Sequence, residues 1–140
     1  EMTIEERVTT TINDTVDQET NNDMSRVESI NISDDSDAEG MKVANIELNG
    51  DDNLTVNLTK VGMLSKSADL FEVLFSEYDS FNKIVLTWNL PLVDVKGNET
   101  NGMVLKIGLQ RDHGINWEQS DYNNFEHVAV IYFLHNALKD

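Results

Sequence analysis

The chain has 140 residues, with 26 Asp and Glu against 10 Lys and Arg and no Cys, for a formal net charge of −16. Such a field repels phosphate backbones and anionic lipid surfaces, which excludes nucleic acid as a partner; cationic groups and divalent metals are electrostatically allowed, and the plainer reading is that the charge maintains solubility. Without cysteine there is no disulfide framework, thiolate metal site or thiol nucleophile.

The length suits one domain over residues 1–140, with an N-terminal helix and linker in 1–25 and an α+β body in 26–140. Residues 1–53 hold 15 acids and 3 bases, net −12, and residues 54–140 hold 11 and 7, net −4. The longest apolar run, Val128 to Leu134, is far shorter than the about 20 residues of a membrane-spanning helix. The chain begins Glu1-Met2, which reads as an excised fragment whose upstream part would carry any signal or anchor.

Residues 4–17 read as an amphipathic helix. Thr3 and Glu6 have the spacing of a capping box, and Ile4, Val8 and Ile12 make one apolar stripe. The Thr9-Thr10-Thr11 run opposes it, because β-branched side chains lose rotamer freedom in a helix. Residues 18–25 read as an exposed linker. The period then changes to two: Val27, Ile30 and Ile32 predict one strand, and Ala44, Ile46 and Leu48 a second, separated by a polar turn over 33–40. Asn49-Gly50-Asp51-Asp52 supplies turn chemistry.

Leu54, Leu58, Val61, Leu64, Ala68, Phe71, Leu74 and Phe75 fit a helical stripe, so 65–78 is predicted helical. The first part, 54–62, fits a helix or a strand, since Leu54, Val56 and Leu58 alternate and Gly62 weakens a helix. Ile84, Leu86, Trp88, Leu90 and Leu92 then alternate strictly, as do Met103, Leu105, Ile107 and Leu109, predicting a hairpin in which each strand buries one face. Pro91 marks a position facing an edge or a bulge. In the tail, Phe125, Val128, Ala129 and Tyr132 favour a helix, although VAVIYF also suits a strand. These elements predict an α+β fold: a single antiparallel sheet of four to five strands, with a long helix on one face, an N-terminal helix and a C-terminal helix or tail.

Few residues offer chemistry. Asp35, Asp37 and Glu39, followed by Gly40, resemble the start of a calcium loop, where alternate carboxylates converge on the ion. The twelfth position would be Ile46 and not the bidentate Glu, and no helix is predicted to follow, so an exposed acidic turn is the expected reading. His127 and His135 are eight apart, over two helical turns, and Glu126-His127 lacks the second His of a metalloprotease helix; His113 stands alone. There is no G-x-S-x-G nucleophile elbow and no phosphate-binding glycine loop. With 26 acids, chance carboxylate pairs are inevitable and none is singled out for glycoside hydrolysis. Trp88 belongs to the core. Trp117, near Tyr122 and Phe125, anchors the tail or binds a ligand. The N-x-S/T sequons at Asn13, Asn31, Asn53, Asn57 and Asn98 follow from an Asn- and Thr-rich composition.

Three segments, LTVNLTKVGML (54–64), LPLVDVKGN (90–98) and INWEQSDYNNFEHVAVIYFLHNAL (115–138), together resemble a group of uncharacterised extracytoplasmic domains from Gram-positive bacteria, found in membrane-tethered or lipoprotein-like chains. The resemblance covers most of the chain. Those domains more often read Asn-Trp-Asp-Asn-Phe and His-Pro-Ala-Leu where this chain has Asn116-Trp117-Glu118-Gln119-Ser120 and His135-Asn136-Ala137-Leu138. The resemblance implies an extracytoplasmic, secreted or tethered location, with a cytoplasmic one as the alternative, and carries no catalytic residues. The expectation is a non-catalytic module that binds a protein or ligand or acts as a spacer, without a cofactor. The alternatives are a carboxylate-dependent hydrolase and an acidic module that binds a cationic partner or Ca2+.

Overall fold

A computed structural model describes residues 1–93, 95–118 and 125–139. Among these, β1 (Val27–Asp34), β2 (Lys42–Asn49), β3 (Phe81–Val93), β4 (Glu99–Gln110) and β5 (Ile131–Leu134) form one sheet in the order β1-β2-β3-β4-β5. The fold is α+β as expected, but the sheet is mixed: β2 and β3 run parallel, and the other neighbours run antiparallel. The cause is the connection. The helix α2 (Val56–Glu77) has 22 residues, about 33 Å at 1.5 Å per residue. It therefore outreaches the eight-residue β2, which spans roughly 27 Å. It carries the chain back to the starting end of β2, so β3 sets out in the same direction.

The N-terminal helix α1 (Ile4–Val16) begins with the expected capping box: Thr3 N–H donates to Glu6 Oε1 at 3.0 Å and Glu6 N–H to Thr3 Oγ1 at 3.1 Å. The threonine run does not interrupt it. Thr9, Thr10 and Thr11 each donate their hydroxyl to the carbonyl four residues back, which satisfies these groups within the helix. Val8, Ile12 and Val16 join the core formed by α2 and the inward faces of the strands.

α2 settles the ambiguous segment as helix from Val56, with Leu54 outside it and 98% exposed. Leu64, Ala68, Phe71, Leu74 and Phe75 of the expected stripe are buried, joined by Met63, Ser67 and Leu70, whereas Leu58 and Val61 are exposed. At about 100° per residue Leu58 lies on the opposite side of the helix, and Val61 lies at the margin of the buried face, about 20° from Ala68. Ser67 survives at the centre of the stripe because its Oγ accepts the Trp88 Nε1–H at 2.8 Å, in a fully buried pair. At the other end, Arg111 donates to the carbonyls of Phe75, Tyr78 and Phe81 at 3.0, 2.6 and 2.8 Å. The guanidinium thus satisfies the Phe75 carbonyl, which a helix C-terminus leaves open, and ties the helix end to the start of β3.

The hairpin of β3 and β4 is present, with one correction to its alternation. Trp88 pairs with Leu105 but Asn89 pairs with Met103, so Val104 is the extra residue of a β-bulge. Leu105, Ile107 and Leu109 are buried as expected, but Val104 is buried as well and Met103 is 40% exposed. A bulge shifts the phase of one strand, which period-two patterning does not reveal. β2 ends at Asn49, opposite Asn89, so Pro91 lies beyond the reach of β2, where its missing N–H costs no ladder bond.

The tail corrects the helical expectation. α3 (Phe125–Val128) is a single turn, and Ile131–Leu134 become β5. The exposed edge of β4 offers backbone partners from Leu105 to Gly108, and only an extended segment can use them. A 3₁₀ turn, Asn136–Leu138, follows and buries Leu138.

The segment 18–25 is largely exposed as expected, but it is tied down. Thr20 is buried, and the chain folds around Arg26, which is 1% exposed. Arg26 donates to the carbonyls of Asp17 (3.3 Å), Glu19 (3.3 Å) and Asn49 (2.8 Å), and meets both Asp51 carboxylate oxygens at 3.1 Å.

Candidate functional site

Antiparallel pairing places Leu105 opposite Leu134 and Ile107 opposite Tyr132. Tyr132 and Leu134 therefore turn towards the core, and both pack against it. Phe133, opposite Lys106, points to the other face and is 40% exposed. β5 is the last strand of the sheet. Between its outer side and the N-terminal half of α2 lies an open groove of about 710 Å³. Leu64, Tyr132 and Leu134 give it apolar surface, and Lys60, His135 and Lys139 give it donors. Among the described residues Glu126 is the one carboxylate in the lining, and it lies 3.8 Å from the His127 ring. Burial raises the Tyr132 hydroxyl above its ordinary value, and the nearby Glu126 charge adds to the rise.

His135 accepts the Ala137 N–H on Nδ1 at 2.9 Å. Its ring proton is thereby assigned to Nε2, a donor. Neither Lys60 nor Lys139 forms an ion pair among the described residues. Lys42 and Lys66, by contrast, are matched with Asp34 and Asp51.

A smaller cleft of about 240 Å³ is lined by Val56, Thr59, Leu90, Leu92, Val104 and Leu138 among others. The same 3₁₀ turn supplies Asn136 to the groove and the buried Leu138 to the cleft.

The sequence-level candidates fall elsewhere. Asp35 accepts the Asn82 side-chain N–H on Oδ2 and the Asp37 backbone N–H on Oδ1, both at 2.8 Å. These bonds hold its carboxyl below the usual range, the Asn82 bond more than the Asp37 bond. They tie the β1–β2 turn to β3. Among the described residues no three His, Asp or Glu side chains gather where a metal ion would be held, so Asp35, Asp37 and Glu39 are not drawn into one ligand set.

His113 accepts the Ile115 N–H on Nδ1 at 2.9 Å and lies between the rings of Phe75 and Trp117, at 5.4 and 5.3 Å. Burial lowers its pKa, with Arg111 adding to the fall and Asp112 opposing it. Trp117 also lies 6.4 Å from the Phe125 ring and packs against the core, which makes it an anchor for the loop. Tyr122 and the departures at Gln119 and Ser120 lie outside the described residues. Trp88 is fully buried, as expected.

Asp51 is the other tuned carboxyl. Burial alone would raise it, but the Asn21 N–H, Arg26 and Lys66 outweigh burial and hold it below its ordinary value. Glu6 is lowered by the Thr3 backbone and hydroxyl. Among the described residues, the three carboxyls with a resolved shift are thus lowered by structural partners.

Sequence reasoning missed the groove, Arg26 and Ser67. Only Arg26 left a signal, as one of 3 bases among 15 acids in residues 1–53. No protein-family model, curated relative or solved structure matches this chain.

Proposed function

We propose that the protein is a non-catalytic binding module, extracytoplasmic in location, that receives a ligand or a partner segment in the groove between α2 and β5. The observation that carries this reading is the groove's composition. Apolar walls from Leu64, Tyr132 and Leu134 lie beside the donors of Lys60, His135 and Lys139, the mixture by which binding clefts combine burial with orientation. The location rests on the resemblance of residues 54–64, 90–98 and 115–138 to extracytoplasmic domains. A signal peptide or lipobox in the full-length gene is the expected finding.

A carboxylate-dependent hydrolase is less well supported. General acid catalysis uses a carboxyl raised towards neutral pH, whereas Glu6, Asp35 and Asp51 are lowered and, among the described residues, the groove is lined by Glu126 alone among acids. One observation favours a cationic partner at a different place: a second open groove, between α1 and β1, is lined by Glu5, Glu6 and Glu28. Binding there would weaken with salt.

The test is a fragment screen followed by backbone amide resonances. Saturable shifts gathered at Lys60, Leu64 and Tyr132 to Asn136 support the groove. Shifts confined to Glu5, Glu6 and Glu28 transfer the function to the acidic groove, and hits spread over the surface remove both readings.

A further inference from the structure

Resting on the binding-groove reading above, we infer that the groove takes an extended peptide segment as a sixth strand along β5, with a carboxylate of that segment held by Lys60 and Lys139.

The two edges of the sheet differ. β1 carries Glu28 and Asp34 and packs beside α1, and charge on an edge strand opposes further pairing. β5 reads Ile131-Tyr132-Phe133-Leu134, without charge or proline, and pairs with β4 without a bulge. Its residues are of the aromatic and branched types that favour strands. His135 N–H donates to the Val104 carbonyl at 2.8 Å. By the alternation of an antiparallel ladder, Tyr132 and Leu134 turn their N–H and C=O away from β4, into the groove. An added strand would take up those bonds, as in peptide recognition by strand addition.

Charge selects the occupant. In a chain of net −16, this lining brings two lysines and the Nε2–H of His135 together with a single acid among the described residues. Glu126 precedes β5 in the chain, whereas His135 and Lys139 follow it, so a carboxylate belongs at the C-terminal end of β5. A free C-terminal carboxylate there requires the added strand to run parallel to β5. An Asp or Glu side chain fits either direction. A second copy of this chain is a poorer occupant: it would bring two bodies of −16 together and offer its own uncharged β5.

The test uses the whole chain and three pools of random hexapeptides: one with free C-terminal carboxylates and no acidic side chains, one amidated with a single Glu, and one amidated without acids. Binding is read by fluorescence polarisation of labelled pools, and position by hydrogen exchange of the Tyr132 and Leu134 amides. The expected result is saturation by one or both acid-bearing pools, slowed exchange at both amides, and an affinity loss of about tenfold or more in a K60E/K139E variant whose spectrum is otherwise unchanged. Methylation of alternate backbone nitrogens in the selected peptides should abolish binding. Which acid-bearing pool binds distinguishes a chain terminus from a side chain. Equal binding of the acid-free pool at these residues overturns the carboxylate and leaves the binding module standing. Binding without protection at Tyr132 and Leu134 overturns the strand. Concentration-dependent dimerisation that protects the same amides assigns the edge to a second copy. No saturable binding at millimolar peptide removes this inference, and the fragment screen then decides the groove reading separately.

Discussion

Replacing Arg26 with Ala removes the side chain around which three parts of the chain converge: the turn after α1, the start of β1 and the loop after β2. The guanidinium is 1% exposed and supplies donors to three backbone carbonyls and the Asp51 carboxylate. Breaking a buried ion pair by removing one partner costs about 3–5 kcal/mol. Asp51 is not wholly stranded here, because Lys66 remains 3.4 Å away and the Asn21 N–H still donates to it. The lower end of the range applies, about 3 kcal/mol, or a melting temperature lower by about 10 °C for a chain of this size. Urea denaturation at neutral pH measures it as a fall in the midpoint at constant slope. Combining R26A with D51A should cost less than the sum of the two single changes, because each removes the same contact. A loss under about 1 kcal/mol for R26A, or strict additivity of the pair, would refute the claim that this buried network holds the N-terminal segment to the sheet.

Ser67→Ala leaves the buried Trp88 Nε1–H without its acceptor and should cost about 1–3 kcal/mol in the same assay; no loss would mean that the indole finds another partner. In Gly108→Ala the new methyl would lie 3.1 Å from Ile131 Cβ, a branched atom fixed to the backbone. Overpacking of this kind costs about 1–3 kcal/mol, and hydrogen exchange should rise in β5 before it rises in β1. Uniform exchange would count against a local effect. Protonation of His113 removes the acceptor for Ile115 N–H, and its folded pKa lies below the ordinary 6.5. The sign follows: this contribution to stability is complete above pH 6.5 and is lost as pH falls through the folded pKa. His113→Asn keeps an acceptor that does not titrate and should flatten stability over that acidic window. An unchanged profile would assign the pH dependence elsewhere.

The local elements were legible because their causes are local. The Thr3–Glu6 box, the Val8 and Ile12 stripe, the alternation of Ala44, Ile46 and Leu48, and the burial of Trp88 each follow from side chains a few residues apart. The direction of β3 relative to β2 did not, since it depends on where α2 delivers the chain. Nor did the bulge at Val104, because both phases of β4 are apolar there. The tail followed the same rule: the pattern of Phe125, Val128, Ala129 and Tyr132 favoured a helix, and the edge of β4 made Ile131 to Leu134 a strand instead. The charge of −16 likewise pointed to the acidic first third. The groove arises from Lys60, His135 and Lys139, which are ordinary in sequence and meet only when α2 and β5 are laid side by side. What the sequence determined was which segments bury a face. What only the tertiary structure decided was which backbone edges are left to pair and which distant side chains share a cleft, because hydrogen-bonding partners and local electrostatics depend on spatial neighbours.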